Sequence, residues 1–143
     1  MSIDQQQEAI IEDFSILDGD MEMSINYLMD LGQQLEVYPE AFRDENHIVK
    51  GCQSKVWLHS TAVDGKISLL ADSNTAITKG LVSLLIRALS NQSAEDILNA
   101  DIYFPEKIGM NRFIGTQRSN GFASMIKQIK MDALAINSHL KSN

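Results

Sequence analysis

The chain's single cysteine lies in a short polar stretch, Lys50-Gly51-Cys52-Gln53-Ser54-Lys55, just ahead of an apolar run. Gly51 permits a sharp turn and lets another molecule's backbone come close. Lys50 and Lys55 place positive charge near the sulfur, and positive charge favours the thiolate, which is the nucleophilic form. Two readings stay open: a nucleophile, and a structural thiol of the kind that free cysteines commonly are. A metal site fails on count, because His47, Cys52 and His59 are at unhelpful spacing and nothing nearby completes the set. A Cys–His hydrolase would use His59 as base and Asp64 or Asp72 to orient it. Sequence spacing neither supports nor excludes that pairing, and a strand histidine grouped with Trp57 and Thr61 is commonly just a sheet residue. A second polar island, Gly115-Thr116-Gln117-Arg118-Ser119-Asn120-Gly121, precedes the last apolar helix pattern. It reads either as a helix cap with a solvated arginine or as an anion site. In the second case Arg118 and the N–H groups of a helix start would hold a negative sulfur or a partner's carboxylate.

The elements that must position these residues are legible from periodicity. Val56 to Val63 and Lys66 to Ala71 read as strands joined by Asp64-Gly65, a two-residue hairpin turn in which Gly tolerates positive φ. One strand face carries Val56, Leu58, Ser60 and Ala62, and the other Trp57, His59, Thr61 and Val63. A hairpin alone is marginal in water, so helices must cover it and a third strand is expected, with Ile48-Val49 the candidate. Helices are expected over residues 5–17, from Asp20 (as cap) to about Leu35, and from about Thr75 to Leu89 after the cap cluster Asp72-Ser73-Asn74. On the second of these Met21, Ile25, Leu28, Leu31 (or Gly32) and Leu35 trace one face, and Met21, Met23 and Met29 read as core filling. Pro39 to Phe42 suggests a single turn, Ser93-Ala94-Glu95-Asp96 a capping box for a short helix, and Pro105 another short turn. Ser119-Asn120 reads as the cap of a long C-terminal helix whose inner face is Phe122, Met125, Ile126, Ile129, Ala133, Ile136 and Leu140. Helices flanking one compact hairpin argue for an α+β domain with a small antiparallel sheet of about three strands.

The chain has 143 residues, 44% apolar and 22% charged, which suits one soluble domain spanning residues 1–143 with no need of a metal or disulfide. One cysteine cannot form an intramolecular disulfide, a thiolate zinc site or an iron–sulfur cage. A lone thiol suits a reducing compartment. The N-terminus lacks the basic start and apolar core of a secretory signal. The most apolar stretch, Gly80 to Ile86, is far too short to cross a bilayer. The expectation is a cytosolic protein. The formal net charge of −7 disfavours nucleic acid and anionic membrane as partners. That charge is uneven: residues 1–46 hold twelve acids and one base, Arg43, and the rest carries a net +4. The acidic part is either a solvated helical surface or a face that steers a basic partner protein.

The string Lys50-Gly51-Cys52-Gln53-Ser54-Lys55-Val56-Trp57-Leu58 resembles the signature of the SufE family of sulfur acceptors. The resemblance continues through Ala71-Asp72-Ser73-Asn74 and Lys79-Gly80-Leu81, and returns in Arg118-Ser119-Asn120-Gly121 ahead of the helix with Met125. It covers essentially the whole chain from Phe14 onward, and CsdE-type proteins share it. It departs at Gly115-Thr116-Gln117, where the family more often carries Ser-Pro or Thr-Pro. The resemblance implies a SufE/IscU-like α+β fold. It also implies a partner, a PLP-dependent cysteine desulfurase of the SufS or CsdA kind, with PLP on that partner and no cofactor bound to this chain. Cys52 matches the family's persulfide-accepting cysteine and Arg118 the arginine near it. Gly51 would let the loop swing, while Lys50 and Lys55 act electrostatically. The implied role is that of a sulfur carrier and activator rather than an independent enzyme, feeding a SufBCD-like iron–sulfur scaffold or another sulfur relay. A homodimer is left open. The IscU scaffold role itself is excluded, since it needs about three cysteine ligands.

Overall fold

The centre of the molecule is the hairpin. In a computed structural model, which describes the backbone of residues 1–142 and side chains through Leu140, β1 (Val56–Val63) pairs antiparallel with β2 (Lys66–Ser73). Both turn residues take positive φ, Asp64 at 53° and Gly65 at 79°, the backbone that a tight two-residue turn between right-twisted strands requires. Val56 and Leu58 of β1 and Ile67, Leu69 and Ala71 of β2 are buried on one face. Trp57 and His59 point to the other face, as alternation demands. The class is α+β, and the sheet has two strands rather than about three. Ile48 makes a single bridge with Trp57, and the Val49 N–H donates to the Val56 carbonyl at 2.8 Å. The chain then turns away at Gly51 (φ 93°), so pairing stops before a strand forms.

Helices cover the inner face. They are α1 (Ile3–Ser15), α2 (Met21–Gln33), α3 (Ala76–Leu89), α4 (Ala94–Asn99), α5 (Phe104–Lys107), α6 (Met110–Ile114) and α7 (Thr116–Ser142). Single 3₁₀ turns at Glu40–Phe42 and Glu45–His47 lie in the connection between α2 and β1. Ser2 and Gln5 form a capping box on α1, and the Asp20 carboxylate accepts from the Met23 N–H to cap α2. The N-terminal acids are partly spent on the fold itself. Asp13 pairs with Arg87 at 2.8 Å, the Tyr103 hydroxyl donates to Glu8 at 2.7 Å, and Asp44 binds His47 at 2.7 Å. Among the described residues no helix is long and apolar enough to cross a membrane.

Two expectations about apolar faces are corrected. Met21 and Met23 are 52% and 51% exposed and do not fill the core. The buried stripe of α2 is Ser24, Leu28 and Gly32. Met23 lies well round the helix from it, and Met21 sits on the open first turn. Leu140 is 49% exposed, because α7 runs on past the last core layer at Ala133. The start of α7 is also earlier than Ser119-Asn120. Gly115 (φ 85°) separates α6 from α7, and its carbonyl accepts the Ser119 N–H as the first turn of the helix.

The α2–α3 crossing sets how closely the helices approach. A Cβ on Gly32 would lie 2.6 Å from the Gly80 nitrogen, and a Cβ on Gly80 would run into the Leu28 carbonyl. Backbone therefore touches backbone here, and nothing flexible can give way. Gly80→Ala is expected to lower stability by about 1–3 kcal/mol or more through overpacking. Urea unfolding checks this.

Candidate functional site

Cys52 rides on a loop closed at its base by the Val49–Val56 backbone bond, and the loop is held on two sides. On the α7 side, Gly51 presses on Ser124: a Cβ at Gly51 would lie 2.5 Å from Ser124 Oγ. The next residue's sulfur donates to the Gly121 carbonyl at 3.4 Å. On the other side, the Lys55 N–H donates to Asn74 Oδ1 at 3.0 Å, and the Asn74 N–H returns to the Lys55 carbonyl at 3.2 Å. Ser73 Oγ donates to that same carbonyl at 2.8 Å. Ser54 Oγ shares a hydrogen bond with Thr75 Oγ1 at 3.0 Å, and the Thr78 hydroxyl reaches Ser54 Oγ at 3.4 Å. Ser73 and Asn74 are thus a clamp on the Cys52 loop and not the cap of α3, whose cap residue is Thr75, without a side-chain cap bond. Ser73, Asn74, Thr78 and the Gly121 carbonyl are site elements that sequence reasoning misses. The available signals are the recurrence of Asp72-Ser73-Asn74 and of Gly121 in the quoted resemblance.

The sulfur faces a cleft of about 380 Å³ between this loop, α3 and the start of α7, lined among others by Ser54, Thr78, Leu81, Arg118 and Met125. Arg118 is exposed, and its guanidinium donates only to the Ile114 carbonyl, at 3.4 Å. Among the described residues it has no carboxylate partner. Thr116 and Gln117 of the first turn of α7 also line the cleft. Gly115 ahead of them has no side chain to cap their N–H groups, so this end of a long helix presents partial positive charge to the cleft. Burial pushes the Cys52 thiol above its ordinary range. The carbonyl contact acts the same way, because a thiol can donate to it and a thiolate cannot.

The cations are therefore not equivalent. Arg118 shares the cleft with Cys52. Lys50 lines a different cavity, of about 610 Å³, together with His47 and His59. Lys55 is exposed and enters the site through its backbone. His59 does not meet Cys52. Its ring stacks on Phe42 (centroids 3.7 Å apart, 9° between planes) and lies 5.2 Å from His47. Burial and the neighbouring His47 lower its pKa. Asp72 is occupied by Arg43 at 2.8 Å and Lys79 at 3.6 Å. The Arg43 guanidinium lies over both Trp57 and Tyr38, pinning the α2–β1 connection to the outer sheet face. Asp64 is in the hairpin turn. No Cys–His–Asp arrangement exists among the described residues, and the hydrolase reading has no geometry behind it. Among the same residues, no group of three or more His, Cys, Asp or Glu could hold a metal ion.

Because burial favours the neutral form, folded Cys52 keeps its proton at pH values where a free thiol has ionised. The midpoint of its iodoacetamide alkylation rate against pH is expected above that of free cysteine, returning to the ordinary value in urea. A native midpoint at or below that of free cysteine contradicts this.

The chain matches the SufE family, described as an Fe-S metabolism associated domain, over residues 8–133. It is 36% identical over 137 residues to an uncharacterized SufE-like protein of Rhizobium meliloti (strain 1021), covering 92% of this chain and 94% of that one. An uncharacterized SufE-like protein of Rhizobium etli is also 36% identical over 137 residues, covering 92% of this chain and 89% of the relative. The solution structure of a hypothetical protein from Thermus thermophilus superposes with a TM-score of 0.77 at 19% identity, over 93% of this chain and 96% of that one, which shows a shared fold. With the family match over residues 8–133 and relatives 36% identical over 92% of the chain, the chain belongs to the SufE family, whose domain is associated with Fe-S metabolism.

Proposed function

We propose that the protein is a sulfur acceptor for a PLP-dependent cysteine desulfurase, taking a persulfide sulfur onto Cys52 and passing it on for iron–sulfur cluster assembly. The observation that carries this reading is that Cys52 and Arg118 line one cleft, with no acid–base side chain lining it among the described residues. A hydrolase needs a base and an orienting group there. A sulfur acceptor needs a thiol, somewhere for the added sulfur to sit, and a cation to balance its charge.

The step is a displacement of the thiol–disulfide exchange type. The Cys52 thiolate attacks the terminal sulfur of the donor's persulfide. A bond forms between Cys52 Sγ and that sulfur, the donor's S–S bond breaks, and the electron pair leaves with the donor's inner sulfur as a thiolate. The Cys52 proton ends on that departing thiolate, so one sulfur atom moves and the pair of reactants is neither oxidised nor reduced overall. Burial opposes the first requirement, the thiolate. Arg118 and the first turn of α7 favour both the thiolate and the negative persulfide that follows it. PLP stays with the desulfurase and supplies the persulfide there. This chain acts as carrier rather than as an independent enzyme. A reducing cytosol suits its lone thiol, and an iron–sulfur scaffold is the downstream partner.

The test is the intact mass of the protein after incubation with a cysteine desulfurase, PLP and cysteine. A gain of one sulfur atom, reversed by reductant and absent in Cys52→Ser, is expected. A gain that persists in Cys52→Ser, or no gain in the native protein, overturns the reading. Arg118→Ala is expected to slow sulfur loading roughly tenfold, the equivalent of one charge-assisted contact of about 1.4 kcal/mol. Arg118→Lys should fall between, since it keeps the charge and loses the fork.

A further inference from the structure

Among the described residues five polar side chains are buried: Gln7, Ser24, Ser73, Thr78 and Gln92. Four of them make hydrogen bonds of ordinary length. Gln7 donates to the Asp101 carbonyl at 2.9 Å, Ser24 to the Asp20 carbonyl at 2.7 Å, Ser73 to the Lys55 carbonyl at 2.8 Å and Gln92 to the Met1 carbonyl at 2.8 Å. Thr78 is the exception. Its hydroxyl has one partner, Ser54 Oγ, at 3.4 Å. That is well beyond the roughly 2.7–2.8 Å typical of an O–H···O bond.

A buried hydroxyl held this loosely calls for an explanation. Hydroxyls on helices can satisfy themselves by donating back to a carbonyl of the preceding turn. Ser24 does so, and Ser83 does so with the Gly80 carbonyl at 2.6 Å. Thr78, in the first turn of α3, does not. It lines the cleft that holds Cys52 and Arg118, one helical turn from Leu81. Leu81, Ile114 and Met125 are buried and make part of the cleft wall apolar. Of the lining residues Cys52 and Arg118 alone are ionisable. A negative sulfur carried by Cys52 therefore has one cation, the exposed Arg118, and one buried, loosely held O–H on α3. A hydroxyl hydrogen rotates to suit the better acceptor. A hydrogen bond to an ionised acceptor is roughly twice as strong as a neutral one.

We propose that the Thr78 hydroxyl is the buried hydrogen-bond donor to the outer sulfur of loaded Cys52, turning from Ser54 to that sulfur when the persulfide is in place. This deepens the acceptor reading and rests on it. Arg118 holds the charge from the exposed side and Thr78 from the buried one. The O–H bond stays intact throughout, and its effect is to favour the ionised S–S⁻ over the neutral S–SH. An ionised persulfide is a poorer target for an incoming thiolate, because the two charges repel, so the same bond helps keep the sulfur on the carrier. The resting thiol donates instead to the Gly121 carbonyl, and Thr78 makes no bond to it.

The experiment loads the protein anaerobically with inorganic polysulfide, so that no desulfurase is needed, and checks for one added sulfur by intact mass. The pH midpoint of iodoacetamide alkylation is then measured for the loaded and the unloaded forms. Thr78→Val keeps the shape and removes the hydroxyl. It is expected to raise the midpoint of the loaded form by about half a pH unit, and to speed removal of the added sulfur by a small thiol roughly threefold at neutral pH. The midpoint of the unloaded form is expected to stay at its native value. Thr78→Ser, which keeps the hydroxyl, should return the loaded form to native behaviour. Thermal unfolding of Thr78→Val should stay within a few degrees of native, because Ser54 Oγ keeps its bond with Thr75 Oγ1 at 3.0 Å. An unchanged loaded midpoint overturns the proposal. So does an equal shift in both forms, which marks a general change of surroundings rather than contact with the outer sulfur, or a failure of Thr78→Ser to restore the native value. A native protein that polysulfide leaves unloaded overturns it as well, since the cleft then holds no outer sulfur. Failure of a desulfurase to load the native protein defeats the acceptor reading instead, and the polysulfide-loaded form still decides the role of Thr78.

Discussion

The contact on which the rest of the structure depends is the close approach of one loop to the start of one helix. Gly51 lies against Ser124 with no room for a Cβ, and the sulfur beside it reaches the Gly121 carbonyl. Each larger element has a part in making that approach hold. The hairpin supplies a rigid edge from which the loop leaves and to which it returns. The β2–α3 turn grips its returning arm. The glycine-to-glycine crossing of α2 and α3 packs tightly behind α3, which brings Thr78 and Leu81 to the cleft wall. The Cys52 segment is polar because it is held through hydrogen bonds from its backbone and from Ser54 to neighbouring elements, and the main apolar core lies elsewhere.

Two electrostatic tendencies oppose each other in the cleft. Burial and the Gly121 carbonyl favour a neutral sulfur. Arg118 and the uncapped first turn of α7 favour a negative one, and a helix end contributes roughly 0.3–1 kcal/mol to such a charge. At rest the thiol has the carbonyl to donate to, and among the described residues Arg118 has only the Ile114 carbonyl. A terminal sulfur added to Cys52 in the proposed role would extend into the cleft that Cys52 lines with Arg118. There the second tendency gains weight, since the new charge sits on the outer atom. Under the proposed acceptor role, the site would be better matched to the loaded form than to the empty one, as a carrier needs if sulfur is to stay on it after the donor departs.

Much of this is legible in the sequence, and the gaps have physical causes. Asp64-Gly65 between two alternating runs determines the hairpin and its register, because a turn with two positive φ values tolerates few other residues. Local chemistry and the resemblance to the SufE family both single out Cys52 and Arg118, and the fold brings them together. Lys50 reads as a neighbour of the sulfur because it is two residues away, yet the positive φ at Gly51 turns it into the cavity with His47 and His59. Met21 and Met23 look like core in a list of apolar residues. Leu28 and the alternative Gly32 are legible from spacing, and the α2–α3 crossing shows that Ser24 completes the buried stripe with them. Ser73 and Asn74 carry every local mark of a helix cap. Their partner is Lys55, far back along the chain, and no local pattern reveals a hydrogen bond across that separation. The α7 start lies earlier than its expected cap because Gly115 ends one helix and opens the next without a capping side chain.

The central claim is that Cys52 carries its sulfur into the cleft it shares with Arg118. The most direct measurement is an anaerobic crystal structure of the protein with Cys52 in its sulfur-loaded form. The account predicts the outer sulfur in the cleft between Thr78 and the Arg118 guanidinium, with the Lys55–Asn74 clamp intact. An outer sulfur directed toward His47 and His59, or one pointing into solvent with Arg118 uninvolved, would contradict it.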